Sequence, residues 1–104
     1  MQVALPCLLF GSKETPVVLK GGTNVAFSPS VDYMLHVFRP IAKMMGIGFH
    51  LDINRRGYFP SGGGEVLLKA RPVLGLNPIT LTDRGDIKTV YCRTFVSGSI
   101  NLSK

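Results

Sequence analysis

An α+β fold, a two-layer sandwich of about four mainly antiparallel or mixed strands on one main amphipathic helix, is predicted by three features of this chain. Apolar residues recur at three- and four-residue steps from Val31 to Met45, the period of a helix that buries one face. Ile47 to Ile53 and Val66 to Ala70 alternate apolar with polar residues, the period of half-buried strands. Between these strands, Arg56-Gly57-Tyr58-Phe59-Pro60-Ser61-Gly62-Gly63-Gly64-Glu65 carries three consecutive glycines, which permit the sharp reversal of an antiparallel hairpin.

The chain of 104 residues fits one domain, enough to close a core without a metal or disulfide. Twelve Lys and Arg against six Asp and Glu give net charge +6, which favours a polyanionic partner such as a nucleic acid or nucleotide. Cys7 and Cys92 lie far apart in apolar or strand-like runs without a second thiol at zinc-ligand spacing, and read as reduced, buried thiols. The apolar opening, Met1 to Phe10, has no basic leader and is too short to span a bilayer, so it reads as a core strand of an intracellular protein.

Taken in order, Gln2 to Phe10 is almost wholly apolar, the pattern of a strand covered on both faces, interrupted by Pro6. Val17 to Lys20 follows as a short strand, expected to form a hairpin with the first. Gly21-Gly22 bares the backbone beside Lys20, as a turn or as a phosphate cradle. Ser28-Pro29 has the form of a helix start, with a capping hydroxyl and a proline preset for the first turn. The helix carries Val31, Met34, Leu35, Phe38, Ile41, Ala42 and Met45 on its apolar side, with Asp32 suited to its positive end and Gly46 as its stop. Pro40 is expected to kink the helix after His36 or divide it in two.

Beyond the hairpin, Pro72 to Pro78 is a connector, Ile79 to Leu81 a possible short strand, Thr82 to Gly85 a turn, and Ile87 to Val96 another alternating strand. Ser97 to Lys104 is a small polar tail, expected to fray.

The chemistry-bearing residues are sparse. His36 and His50 have no Cys or carboxylate at metal spacing, and Ser61 lacks the setting of a nucleophile elbow. Glu65 can hold a turn N–H or a cation. The glycine runs match neither the P-loop nor the dinucleotide fingerprint. What remains is a concentration of cations and bare backbone, Lys20, Gly21, Gly22, Arg55, Arg56, Gly62, Gly63 and Gly64, which forms a phosphate-binding or RNA-binding surface if the hairpin ends converge.

Taken together, Leu19-Lys20-Gly21-Gly22-Thr23-Asn24, Ser28-Pro29-Ser30-Val31-Asp32-Tyr33, Arg56 to Val66, Leu76-Asn77-Pro78-Ile79 and Asp83-Arg84-Gly85 resemble the RNA 3′-terminal phosphate cyclase family, in register from about Met1 to Gly98. The likeness is to its eukaryotic type. It implies an enzyme that uses ATP and a divalent ion, Mg or Mn, to turn RNA 3′-phosphate ends into 2′,3′-cyclic phosphates. In the family this proceeds through an adenylylated histidine and an RNA adenylate attacked by the neighbouring 2′-hydroxyl. The implied location is the nucleus, with no membrane association.

The resemblance also implies a fold of repeated α+β units with a smaller inserted domain. Residues 1–85 correspond to one such unit, lacking its first helix, and residues 86–104 to the entry strand of the insert plus a divergent tail. Two family ATP contacts fall on Gln2 and Pro29, the latter packing on adenine. No catalytic residue and no metal ligand carries over. The family's nucleophilic histidine belongs to a segment that neither His36 nor His50 matches, so the chain is expected to be inactive without the flanking segments of a parent protein. The sequence after Gly98 departs from the family, as a truncated or alternatively spliced product would. Two other classes stand beside this reading, a noncatalytic cyclase-like factor in ribosomal RNA processing and a basic RNA-binding module.

Overall fold

The computed structural model describes residues 1–94 and 96. The elements follow the order α1 (Ala4–Leu9), β1 (Val17–Gly21), α2 (Val31–Tyr33), a π-helical segment (Met34–Phe38), α3 (Arg39–Met44), β2 (Phe49–Arg55) and β3 (Gly64–Ala70). β3 is the middle strand of a three-stranded sheet, antiparallel to β1 on one side and to β2 on the other. One cluster unites Leu5 and Leu9 of α1, Val31, Met34 and Ala42 of the helical run, and Phe49, Leu51, Val66, Leu68 and Ala70 of the strands. This is the expected α+β sandwich.

The register follows from the alternation of apolar residues. Phe49, Leu51 and Ile53 stand opposite Ala70, Leu68 and Val66, and Val17 and Leu19 stand opposite Leu68 and Val66 on the other side. Slipping β3 by one residue would turn this apolar row to solvent, so burial fixes the pairing. Leu68, at the centre, is fully buried. A bulge between Ile53 and Arg55 leaves Asn54 outside the ladder and brings Arg55 opposite Glu65.

Several expectations need correction. Gln2 to Phe10 is not a strand: Ala4–Leu9 is helix α1. A run without polar residues has no period to read, and what decides it is that Leu5 and Leu9, four apart, are its buried pair. Pro6 omits one bond next to that of the Leu5 N–H on the Met1 carbonyl, and its position near the helix start keeps its ring clear of a preceding turn. The expected opening hairpin therefore does not form, and β1 pairs with β3. The sheet has three strands among the described residues, where about four were expected.

The helix cap is Ser30, not Ser28. Ser30 has extended backbone, and its Oγ accepts the Tyr33 N–H at 3.1 Å. Pro29 is thus left exposed in the approach to the helix. The expected division at Pro40 takes the form of the π-helical segment, after which Pro40 sits at the start of α3. Widening the turn ahead of the proline relieves the clash of its ring and the loss of its donor. The helical run then ends as expected at Gly46, whose φ is +87°. The Ile47 N–H donates to the Ala42 carbonyl and the Gly46 N–H to the Lys43 carbonyl, both at 3.0 Å, the paired bonds of a Schellman end.

Both cysteines are exposed, contrary to expectation. Cys7 occupies the side of α1 opposite Leu5 and Leu9, so its thiol faces away from the core. No strand forms at Ile79 to Leu81 or over the described part of Ile87 to Val96. Neither segment finds a neighbouring strand to take its backbone groups, and Leu81, Ile87, Val90 and Tyr91 are exposed. The connector is fastened earlier, by Arg71 N–H to Gly48, Val73 N–H to Leu9 and Asn77 N–H to Met45. The expected turn at Thr82 to Gly85 does not form either; the one local contact is the Gly85 N–H donating to Asp83 Oδ1 at 2.9 Å. The frayed tail expected at Ser97 to Lys104 lies outside the described residues.

Candidate functional site

The open ends of β1 and β3 meet two loops at one end of the sheet. Gly21 and Gly64 are opposite each other at the close of the β1 and β3 ladder. A Cβ on Gly64 would lie 2.6 Å from the Gly21 carbonyl oxygen, and one on Gly57 would lie 2.7 Å from that same oxygen. Three backbone segments therefore cross at a distance that excludes side chains. Gly62 and Gly63, with φ of +61° and +69°, complete the reversal, and the Gly62 N–H donates to the Tyr58 carbonyl at 2.7 Å.

A polar network locks these loops together. Thr23 N–H donates to the Gly57 carbonyl at 2.8 Å, and the Gly57 N–H donates back to Thr23 Oγ1 at 3.1 Å. The Thr23 hydroxyl donates to Asn24 Oδ1 at 2.8 Å, and the Asn24 amide reaches Asp32 Oδ2 at 3.2 Å. Arg56 donates to both Asp32 oxygens, at 2.6 and 2.7 Å, and to Asn24 Oδ1 at 3.3 Å. The bidentate bonds from Arg56 and the bond from Asn24 hold the Asp32 carboxyl down at about 2 against the opposing effect of burial. Its partnership with Asp32 in turn raises the Arg56 guanidinium.

This network is what sequence reading missed. Asp32 was legible as the acidic residue of a helix start, and it is that. Its pairing with Arg56 depends on the hairpin reaching back over the Gly-Gly-Thr-Asn loop, and no local signal carries that. Arg56, a candidate phosphate or RNA contact, is engaged in holding the scaffold.

The remaining candidates divide into two groups. Gln2, Lys20, Gly21, Gly22, Thr23, Ser28 and Pro29 line one cleft of about 180 Å³ beneath which Val31, Met34 and Val66 form an apolar floor. Gly62 to Gly64 do not line it, but Gly62 lies against Gly21 and Gly22, which do. Lys20 is exposed and 3.5 Å from Glu65. Arg55 is exposed on the other flank of Glu65, opposite it across the bulge. Glu65 accepts the Asn54 amide at 3.1 Å, and this bond, with Lys20 and Arg55 nearby, lowers its pKa. It therefore ties side chains across the strands and does not hold a turn N–H.

Neither histidine lines that cleft. His36 is on the exposed side of the π-helical segment, and His50 is on β2, 2.9 Å from Asp52. Among the described residues no three His, Cys, Asp or Glu side chains gather as a metal site, and no helix is long and apolar enough to cross a membrane.

Comparison with known proteins bears on the whole of this arrangement. A family model described as RNA 3′-terminal phosphate cyclase matches residues 1–100. This chain belongs to the RNA 3′-terminal phosphate cyclase family. It is 42% identical over 96 residues to a probable RNA 3′-terminal phosphate cyclase of Dictyostelium discoideum, an overlap of 91% of this chain and 22% of that protein. Against the RNA 3′-terminal phosphate cyclase of Staphylothermus marinus it is 40% identical, covering 88% of this chain and 26% of the relative. For that of Drosophila melanogaster the figures are 39%, 95% and 27%. The cyclase-family chain thus spans about a quarter of the length of the curated relatives it matches. Its matched region contains every element of the sheet and every residue of the cleft.

Proposed function

We propose that this chain forms the nucleotide-facing part of an RNA 3′-terminal phosphate cyclase, which closes RNA 3′-phosphate ends into 2′,3′-cyclic phosphates at the expense of ATP. The observation that carries the reading is the convergence of Gln2, Lys20, Gly21, Gly22 and Pro29 on one cleft. The residues fit a nucleotide. Pro29 offers a flat apolar surface for a base, Gln2 an amide that can both donate and accept, and Lys20 with the adjoining glycine backbone a cationic seat for phosphate. ATP bound there supplies the energy and activating group for attack by the terminal 2′-hydroxyl.

The chain's own part is to hold the base and turn the phosphates toward the Lys20 end of the cleft. Lys20 and Arg55 on either side of Glu65 then attract the RNA backbone, so RNA affinity falls as salt rises. A divalent ion belongs to the reading, but the described residues gather no ligand set for one, and no step is assigned to it. The chain alone is inactive on this account, because no histidine faces the cleft. The parent protein acts inside the cell, in the nucleus.

Binding tests this. Calorimetry with ATP should show affinity that falls about tenfold in Gln2→Ala and Pro29→Ala, the loss of roughly one hydrogen bond or one stacking surface. Equal affinity in all three proteins would remove the cleft from the account. A basic RNA-binding module without nucleotide affinity is the reading favoured if ATP does not bind while RNA binding at low salt is lost on changing Lys20 and Arg55 to alanine.

A further inference from the structure

The loop that leads into the helix contains a residue that none of this uses. Phe27 is fully exposed, with 110% of its reference surface in solvent, and its φ is +61°. Among the described residues it is the one non-glycine side chain in that left-handed region, which bulky residues avoid. Two unfavourable features therefore coincide on one side chain. A mobile surface loop would relax out of both, yet the feet of this loop are fixed. The Val31 N–H donates to the Thr23 carbonyl at 2.9 Å, and Thr23 and Asn24 both donate backbone N–H groups to Gly57. Residues 24–30 thus form a closed loop with Phe27 near its crown.

The surroundings indicate what would cover the ring. Ser28 and Pro29, the next residues, line the cleft that holds Lys20 and the bare glycines. Asn24 and Tyr58 form a bridge between this loop and the hairpin loop, and Phe59, next to Tyr58, is 85% exposed. Two solvent-facing aromatic rings therefore stand on two loops that are bonded to each other. An aliphatic protein partner would call for a contiguous apolar patch, whereas the exposed residues beside Phe27 are Ala26, Ser28 and Pro29. Isolated rings set among small and polar residues, with Arg55 shortly before Phe59, suit a flat polar partner that carries negative charge.

We propose that Phe27 is a stacking platform for an unpaired nucleobase, and that Phe59 extends the same surface. The proposal rests on the functional reading above and adds residues that it does not use. The ring would take one face of a base while the attached phosphates run toward Lys20 and Arg55. Stacking is indifferent to base identity, so the site would hold strand ends of varied sequence. The base could belong to RNA or to ATP, and the test separates them.

The chain has no tryptophan, so Phe27→Trp places a single reporter at the site. Its emission should be quenched on titration with a single-stranded oligoribonucleotide carrying a 3′-phosphate. Phe27→Ala should weaken binding of that strand about 5- to 100-fold, while the dependence of binding on salt stays as in the unchanged protein, because no phosphate contact is lost. Phe59→Ala should have a smaller effect in the same direction. Quenching by the oligonucleotide but not ATP assigns the base to RNA, and the reverse assigns it to the nucleotide. If the unchanged protein binds either ligand but Phe27→Trp is quenched by neither and Phe27→Ala binds equally well, the stacking platform is wrong and the functional reading stands. If the unchanged protein binds neither ligand at low salt, both fall together. Phe27 makes no core contact, so circular dichroism of the variants should match that of the unchanged chain.

Discussion

Asp32 and Arg56 show how much one pair of side chains can organise. Their bidentate contact joins the start of the helical run to the end of β2, and both side chains are about three-quarters shielded from solvent. Removing either partner leaves the other charge poorly solvated, so Arg56→Ala should lower stability by about 2 kcal/mol, read from urea unfolding at pH 7. The pair also sets a pH dependence. Asp32 has a folded pKa of about 2 against an ordinary 3.8, so its stabilising contribution is fully present above the ordinary value and is lost as pH falls through the folded one. Unfolding free energies from urea titrations between pH 7 and pH 2 should therefore drop further for the unchanged protein than for Asp32→Asn, by on the order of 1–2 kcal/mol over the interval. Parallel curves would show that the pair does not titrate as its geometry implies.

At the scale of elements, the glycine hairpin is a crossing point before it is a ligand loop. Gly57 and Gly64 have backbone where a Cβ would go, so Gly57→Ala and Gly64→Ala should each cost about 2–4 kcal/mol, through displaced backbone. Gly75→Ala, with nothing within 4 Å of the added carbon, should leave the thermal midpoint within a degree or two. These positions also mark what the sequence made legible. Strands β2 and β3, the Gly46 stop and the interruption at Pro40 could be read because each depends on local period or local backbone chemistry. The opening helix could not, because an unbroken apolar run reads alike as strand or helix until the spacing of its buried residues is known. The end of the chain misled for the opposite reason. Ile87 to Val96 has the alternation of a strand, but a strand exists only where a neighbour takes its hydrogen bonds.

For the whole molecule, family membership and geometry divide the labour. The family match identifies what kind of protein this sequence belongs to, while the arrangement of side chains suggests which part of the chemistry it serves. Gln2 and Pro29 are distant in sequence and were linked beforehand only by resemblance; the fold sets both on the cleft that Lys20 and the first glycine pair also line. The triple glycine, the most conspicuous feature of the sequence, stands behind that cleft and braces it. On this account the chain binds and orients a nucleotide without carrying out a reaction on it. The most direct test is to incubate the purified 104-residue protein with Mg²⁺ and ATP labelled at the α-phosphate, then measure retained label before and after denaturation. The account predicts label held by the folded protein and released completely on denaturation. Label that survives denaturation, or no retention by the folded chain, would contradict it.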